Sequence, residues 1–215
     1  KAPVLHASVQ SLVPPASEGT GILSVSGGGH ASSGGSKGPG RGGEGGGSFG
    51  DRKGHGTAGL GQGGGTPASE ASVALGLKWL AAHQEPSGCW DMCTYVKRCP
   101  SGDLCASVQA QNGGIYQPGV TGLALLAFLG AGETSLEGRH REVVEKAALW
   151  LERSQDRDGR FGANFQGMMY NQGLATLALA ELYGMTLDER AGAAAQRGVR
   201  VIERAQQEGG GWDYS

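Results

Sequence analysis

The chain has 215 residues with 18 basic and 20 acidic side chains, a net charge of −2, and 42 glycines, 22 of which fall between Gly19 and Gly65. That distribution leaves a globular part much smaller than the length suggests. The near-neutral charge excludes a polybasic nucleic-acid or membrane-surface binder.

Residues 1–65 read as a Gly/Ser-rich linker, as in GGGHASSGGSKGPGRGGEGGGSFG, with too few apolar side chains to offset the entropy of ordering them. Lys1–Ser69 carries five basic and three acidic residues, one Phe and no Tyr or Trp, so it lacks the charge and the stacking rings of an RNA-binding segment. A passive tether is the expectation. The chain opens on Lys1 and stops at Tyr214-Ser215, which suggests a part of a longer protein.

From Thr66 onward the text becomes helical. Thr66 before Pro67 supplies an N-cap and an N1 proline. Three stretches then align: LGLKWLAAHQEPSGCW, KAALWLERSQDRDGRF and RGVRVIERAQQEGGGW. Each runs to a glutamine (Gln84, Gln155, Gln206), makes a Gly-containing turn and lands on an aromatic (Trp90, Phe161, Trp212). Between them lie TGLALLAFLGAG and QGLATLALAELYG, which share Gly-Leu-Ala-x-Leu-Ala from Gly122 and Gly173.

The distance from Gly122 to Gly173 equals that from Gln155 to Gln206, so the repeat is about fifty residues long. An excess of about twenty residues falls after Gln84, giving an insertion at about 91–115 that holds the cysteines.

The two kinds of helix differ in pattern. In the second glutamine-ended stretch, Val143, Ala147 and Leu151, with Val144 and Ala148 beside them, face one way. Glu142, Glu145, Lys146, Glu152 and Arg153 face the other. The Gly-Leu-Ala helices are apolar all round and must be covered on all sides. Thr186 to Glu189 fits a capping box, and GGIYQPGV at Gly113–Val120 reads as loop. The fold class expected is all-α, with outer amphipathic and inner apolar helices in alternation. The longest apolar run, Val120–Ala131, is too short to span a bilayer.

A helix ends with unpaired carbonyls, and the next begins with unpaired N–H groups. A glutamine amide can serve both, and an indole or phenyl ring stacked over it would shield those bonds. Gln84 with Trp90, Gln155 with Phe161 and Gln206 with Trp212 are therefore expected to be structural clasps.

With these residues quoted, the stretch Thr66–Ser215 resembles the QW repeats of squalene–hopene and oxidosqualene cyclases. Lys78, Trp79, Leu80, Gln84, Gly88 and Trp90 carry the first repeat, and Arg197, Gly198, Gln206, Gly210 and Trp212 the third; the second has Phe161 where Trp is usual. GLALLAFLGAGET and MMYNQGLATLALAELYGMT are similar to bacterial prenyltransferase and squalene-oxidase repeat proteins of the kind found in planctomycetes. The resemblance implies a partial α/α-toroid of the terpenoid cyclase and protein prenyltransferase superfamily, binding an apolar, isoprenoid-like ligand or a protein partner. It also implies an alternative, a squalene or polyprenyl cyclase, an isomerase, whose acid motif lies outside this stretch.

The chemistry of that superfamily is not written here. There is no Asp-x-Asp-Asp to protonate an alkene, and Asp156-Arg157-Asp158-Gly159 reads as a turn. Asp91-Met92-Cys93 and Asp103-Leu104-Cys105 lie in the insertion, and no histidine follows His140 to complete a prenyltransferase zinc site. No catalytic residue is nominated. Ligand-cavity candidates are the residues at the inner-helix starts: Tyr116, Gln117, Thr121, Tyr170, Asn171 and Gln172.

Cys89, Cys93, Cys99 and Cys105 form one local group. They could hold a structural zinc, though the usual Cys-x-x-Cys knuckle is absent; if the protein works outside the cytoplasm, a weak preference that no signal segment fixes, one or two disulfides are expected over metal, and reduced thiols are the third alternative. His83 reads as a helix-end residue and His140 as an exposed first-turn residue.

Overall fold

A computed structural model describes residues 66–99, 105, 113–162 and 168–212. The Gly/Ser-rich stretch 1–65 lies outside the described residues, as does most of the second half of the insertion.

Five α-helices follow one another: α1 (Pro67–Ala82), α2 (Gln117–Gly130), α3 (Arg141–Ser154), α4 (Met168–Thr186) and α5 (Glu189–Ala205). Among the described residues the one β pairing is an isolated bridge between Gln155 and Phe161. No helix among them is long and apolar enough to cross a membrane.

Local chemistry sets the ends. The Thr66 hydroxyl accepts the Ser69 N–H at 3.1 Å while the Ser69 hydroxyl accepts the Thr66 N–H at 2.9 Å, a reciprocal cap that pins the start of α1. α2 starts at Gln117, ahead of the Gly-Leu-Ala motif, because Pro118 is tolerated in a first turn; the stretch read as loop is a 3₁₀ turn (Gly113–Tyr116) running into this helix. The cap of α5 is Asp188, whose carboxylate accepts the Arg190 N–H at 3.0 Å. Thr186, expected to cap α5, instead closes α4, its hydroxyl donating to the Leu182 carbonyl at 2.7 Å. The chain between them turns through Leu187, a non-glycine residue at φ 57°.

Packing follows the sequence pattern. α2 and α4 lie side by side and make the most extensive helix pair, α5 packs along α4, and α3 along α2. Leu125, Phe128 and Leu129 of α2, Val144, Ala147 and Leu151 of α3, and Ala175, Ala178, Leu179 and Leu182 of α4 are sealed in one apolar core. The contact between α2 and α4 is close because Gly122 has no side chain; a Cβ there would strike the backbone of Leu174 and Ala175.

The apolar helices are not covered all round, as their composition suggests. Leu123 on α2 and Tyr170 and Leu177 on α4 are more than half exposed. The repeat register explains the pattern. Leu123 stands where Leu174 stands one repeat later, and Leu174 is the residue that meets α2 at Gly122. α2 thus presents on one side the face that α4 uses to pack against α2.

Candidate functional site

One structure recurs at the glutamine turns, and another occurs only at the first. The recurring one is the clasp. Gln84 Nε2 donates to the Gly88 carbonyl at 2.9 Å, within its own turn, and to the Val143 carbonyl of α3, also at 2.9 Å. Gln155 repeats this on Gly159 at 3.2 Å and on Ala194 of α5 at 2.9 Å, and its Oε1 accepts from Arg197 Nε at 3.0 Å. The expectation that the amide would receive N–H groups from the next helix is corrected. Both partners of the nitrogen are carbonyls, of Val143 in the first turn of α3 and Ala194 in the second turn of α5, and a carbonyl has a second lone pair to offer beside its helix bond.

The indole has its own bond. Trp90 Nε1 donates to the Leu80 carbonyl and Trp212 Nε1 to the Ile202 carbonyl, each at 2.8 Å, so each ring ties the turn to the last turn of the helix before it. Phe161 has no such donor and is fully buried.

Gly88 (φ 104°) and Gly159 (φ 92°) are doubly required, since a Cβ at either would also collide with the carbonyl of Lys146 or Arg197. At the third turn the pattern is half made. Gln206 donates to Gly210 at 2.8 Å and Gly210 keeps a positive φ of 87°, but among the described residues nothing stands where a Cβ on it would go; Trp212 is half exposed.

Three of the six cavity candidates serve the protein's own backbone. The Thr121 hydroxyl accepts the Trp90 N–H at 3.2 Å, and Gln172, one repeat on, accepts the Phe161 N–H at 3.0 Å while donating to Gly159 and Gly198 carbonyls. Asn171 accepts the Gly119 N–H at 3.1 Å and donates to the Ile115 carbonyl at 2.6 Å. Gln117 donates to Asp91 at 2.6 Å, and Tyr116 and Tyr170 are exposed.

An apolar cavity opens beside these residues without including them. A volume of about 820 Å³ opens between α1, the cysteine loop and the exposed face of α2. Trp79, Leu80 and Trp90 line it on one side and Val120, Leu123 and Ala124 on the other, and none of the six expected residues is among its walls.

The feature found only at the first turn lies on the wall of this cavity. None of the four cysteines is in a disulfide, so the expected disulfides are absent. Cys99 and Cys105 converge instead on His83, with Nε2 at 3.5 Å from Cys99 Sγ and 3.4 Å from Cys105 Sγ. The three donor atoms lie within 4.8 Å of one another. His83 Nδ1 is 2.7 Å from the Trp79 carbonyl, which has only lone pairs to offer, so Nδ1 carries a proton and Nε2 is the nitrogen that faces the sulfurs. The ring is buried and stacked on Trp79 at 4.0 Å.

The Cys99 thiol is drawn below its ordinary value, first by the Cys105 thiol and then by His83, which favours thiolate. Cys89 behaves oppositely: burial pushes its thiol up. Cys93 is exposed on the loop.

The loop is held where the cluster needs it. Glu85 accepts from Arg98 through Nε at 3.1 Å and Nη2 at 2.5 Å, and from the Thr94 hydroxyl at 2.8 Å, fixing both sides of the Tyr95–Arg98 turn. Asp91 Oδ1 accepts the Cys93 N–H and its Oδ2 the Gln117 amide, tying the loop to α2.

The sequence reading missed His83 as a partner of the cysteines. The signal was present in the repeat: His83 falls where the other two units have Ser154 and Ala205, and it belongs to the one unit with inserted cysteines.

No family model, no curated protein and no solved structure matches the chain.

Proposed function

We propose that residues 66–215 are a partial α/α-toroid of the terpenoid-cyclase-like repeat class, and that this domain binds an apolar, isoprenoid-like ligand rather than catalysing a reaction on it. The observation that supports the ligand is the cavity of about 820 Å³ walled by Trp79, Leu80, Trp90, Val120, Leu123 and Ala124. Its size falls within the range of small-molecule sites, and apolar walls favour transfer of hydrocarbon from water by about 25 cal/mol per Å² buried. The support for the repeat class is internal: two glutamine clasps one repeat apart, each joining the end of one glutamine-ended helix to the next, with Thr121 and Gln172 in matching positions beneath them.

Farnesol and squalene, titrated separately into the full chain, should quench or shift the emission of Trp79 and Trp90. Leu123→Glu, at an exposed position on the cavity wall, should abolish that response and leave helicity unchanged. A response that survives Leu123→Glu, or no response to either lipid, sinks the ligand reading.

A second reading, an apolar helix of a protein partner in the same cavity, has its own support. Val120, Leu123 and Ala124 are one repeat behind Asn171, Leu174 and Ala175, the face of α4 that rests on α2. Binding of an amphipathic helical peptide that Leu123→Glu prevents, with no lipid response, would favour it. A cyclase whose acid motif lies elsewhere would instead turn squalene into cyclised product, detectable by lipid analysis of the intact protein.

A further inference from the structure

We infer that His83, Cys99 and Cys105 bind one zinc ion as a two-thiolate, one-imidazole site whose fourth position opens toward the apolar cavity. Zinc bonds of about 2.3 Å to sulfur and 2.0–2.1 Å to nitrogen set at tetrahedral angles give an N···S edge of about 3.6 Å. The two N···S separations here, 3.5 and 3.4 Å, are already close to that edge. The sulfurs need only small side-chain adjustments to admit the ion, because all three donors already converge.

Two further observations point the same way. The first is the His83 ring, whose Nδ1–H is committed to the Trp79 carbonyl at 2.7 Å. A histidine that ligates through one nitrogen while donating from the other to a carbonyl is the usual arrangement at zinc, since the outer bond fixes the tautomer and the ring plane. The second is repeat logic. A helix end needs no histidine here, for Ser154 and Ala205 serve at the matching positions; His83 and the cysteines appear together in the one unit with the insertion.

Soft thiolates with one imidazole select zinc over magnesium or calcium. With three protein ligands, zinc keeps a place for water or an exogenous donor. His83 and Cys105 both line the cavity, so that place adjoins its apolar walls. Cys89 is engaged with the Ser87 hydroxyl at 3.3 Å inside the first clasp and is not a ligand. Cys93 stands exposed on the loop and is not one either.

The test uses the full chain, prepared without oxygen and titrated with Co²⁺ and then Zn²⁺. One equivalent of Co²⁺ should give the intense visible bands of a tetrahedral ion and a thiolate charge-transfer band in the near ultraviolet, and Zn²⁺ should displace both. His83→Ser, which restores the residue of the second repeat, and Cys99→Ser and Cys105→Ser should each weaken binding by at least about tenfold, the loss that removing even an outer partner causes. Cys89→Ser and Cys93→Ser should leave the spectrum unchanged.

Should a ligand variant lose helicity, a measurement on the unaltered chain stands in its place. Bound Zn²⁺ should slow alkylation of Cys99 and Cys105, located by peptide mass mapping, and leave Cys93 as reactive as before. Adding 2-mercaptoethanol to the Co²⁺-loaded chain should shift the visible bands as a further thiolate enters. No stoichiometric Co²⁺ spectrum, a spectrum that survives Cys99→Ser or Cys105→Ser, or protection of all four thiols alike would overturn the site. Loss of the spectrum in Cys93→Ser, or bands indifferent to added thiol, would overturn its open position. All these outcomes are independent of whether the cavity binds lipid.

Discussion

Glu152 is the one residue among those described with a buried side-chain oxygen that finds no hydrogen-bond partner. Desolvation raises its pKa from the ordinary 4.5, against a weaker lowering by Arg190. A carboxyl whose folded pKa exceeds its unfolded value holds more protons when folded, so its contribution is most favourable in acid. That contribution is lost as pH rises from about 4.5 through the raised value. Glu152→Gln should therefore raise the Tm at pH 7 and lose that advantage below pH 4.5, read from thermal melts across pH; a variant no more stable at pH 7 would contradict the assignment. Glycine makes a second prediction at the same scale. Gly159→Ala forces an L-residue into left-handed backbone at about 1–2 kcal/mol and adds a collision with the Arg197 carbonyl, whereas Gly210→Ala has only the first cost. Urea melts should rank Gly159→Ala well below Gly210→Ala.

Between elements, the clasps decide which helices are joined. Gln155→Ala would leave the Ala194 carbonyl and Arg197 without their partner, a loss of about 1–3 kcal/mol in buried or half-buried settings. Gln206→Ala removes one exposed bond and should fall within about 0.5 kcal/mol of the parent. Equal urea midpoints for the two variants would deny the second clasp its bridging role. The cysteine loop depends on Glu85, whose pKa is lowered first by its hydrogen bond to Arg98. For a lowered carboxyl the stabilisation is complete above the ordinary 4.5 and disappears as pH falls through the folded value. The Tyr95 ring, 6.1 Å from Trp79, should then move away below pH 4.5, altering Trp79 emission; Glu85→Gln should show the altered emission already at pH 7. The helices could be read from sequence because their apolar faces are periodic, and Val144, Ala147 and Leu151 are buried as the spacing demands. The clasps could be read because they recur. The site was legible only in its histidine, which departs from Ser154 and Ala205 at the matching positions; its cysteines lie in an insertion with no counterpart in the repeat. Nor could sequence distinguish polar residues lining a cavity from polar residues like Asn171 and Gln172 that satisfy backbone groups from within.

Across the molecule, stability should be graded rather than uniform. In a chain of stacked units each one is stabilised by its own packing and by the interface with its neighbours, so a unit with one neighbour is weaker than a unit with two. α2 and α4 have flanking helices and hold the sealed residues Leu125, Phe128, Leu179 and Leu182. α5 is bound along α4, but its final turn is held by one exposed bond from Arg204 to the Asp158 carbonyl and by the half-made third clasp, where a Cβ on Gly210 would meet nothing and Trp212 is half exposed. α1 contacts α2 sparingly and leaves Val73 and Leu75 in solvent, although Val144 and Ala195 at the position of Val73 in later units are buried. Zinc at His83, Cys99 and Cys105 would add an interaction to that weak side, joining the end of α1 to the loop. Hydrogen exchange should thus show the amides of α2 and α4 as the last to open, those of α1 and the end of α5 opening earlier through local fluctuations. Adding Zn²⁺ should slow exchange in the C-terminal turns of α1 and in the Tyr95–Arg98 turn while leaving the end of α5 unchanged, because binding stabilises only openings that destroy the site. Uniform exchange across all five helices would show a single cooperative unit and contradict the graded picture; equal slowing at both ends on adding Zn²⁺ would do the same for the local action of the metal.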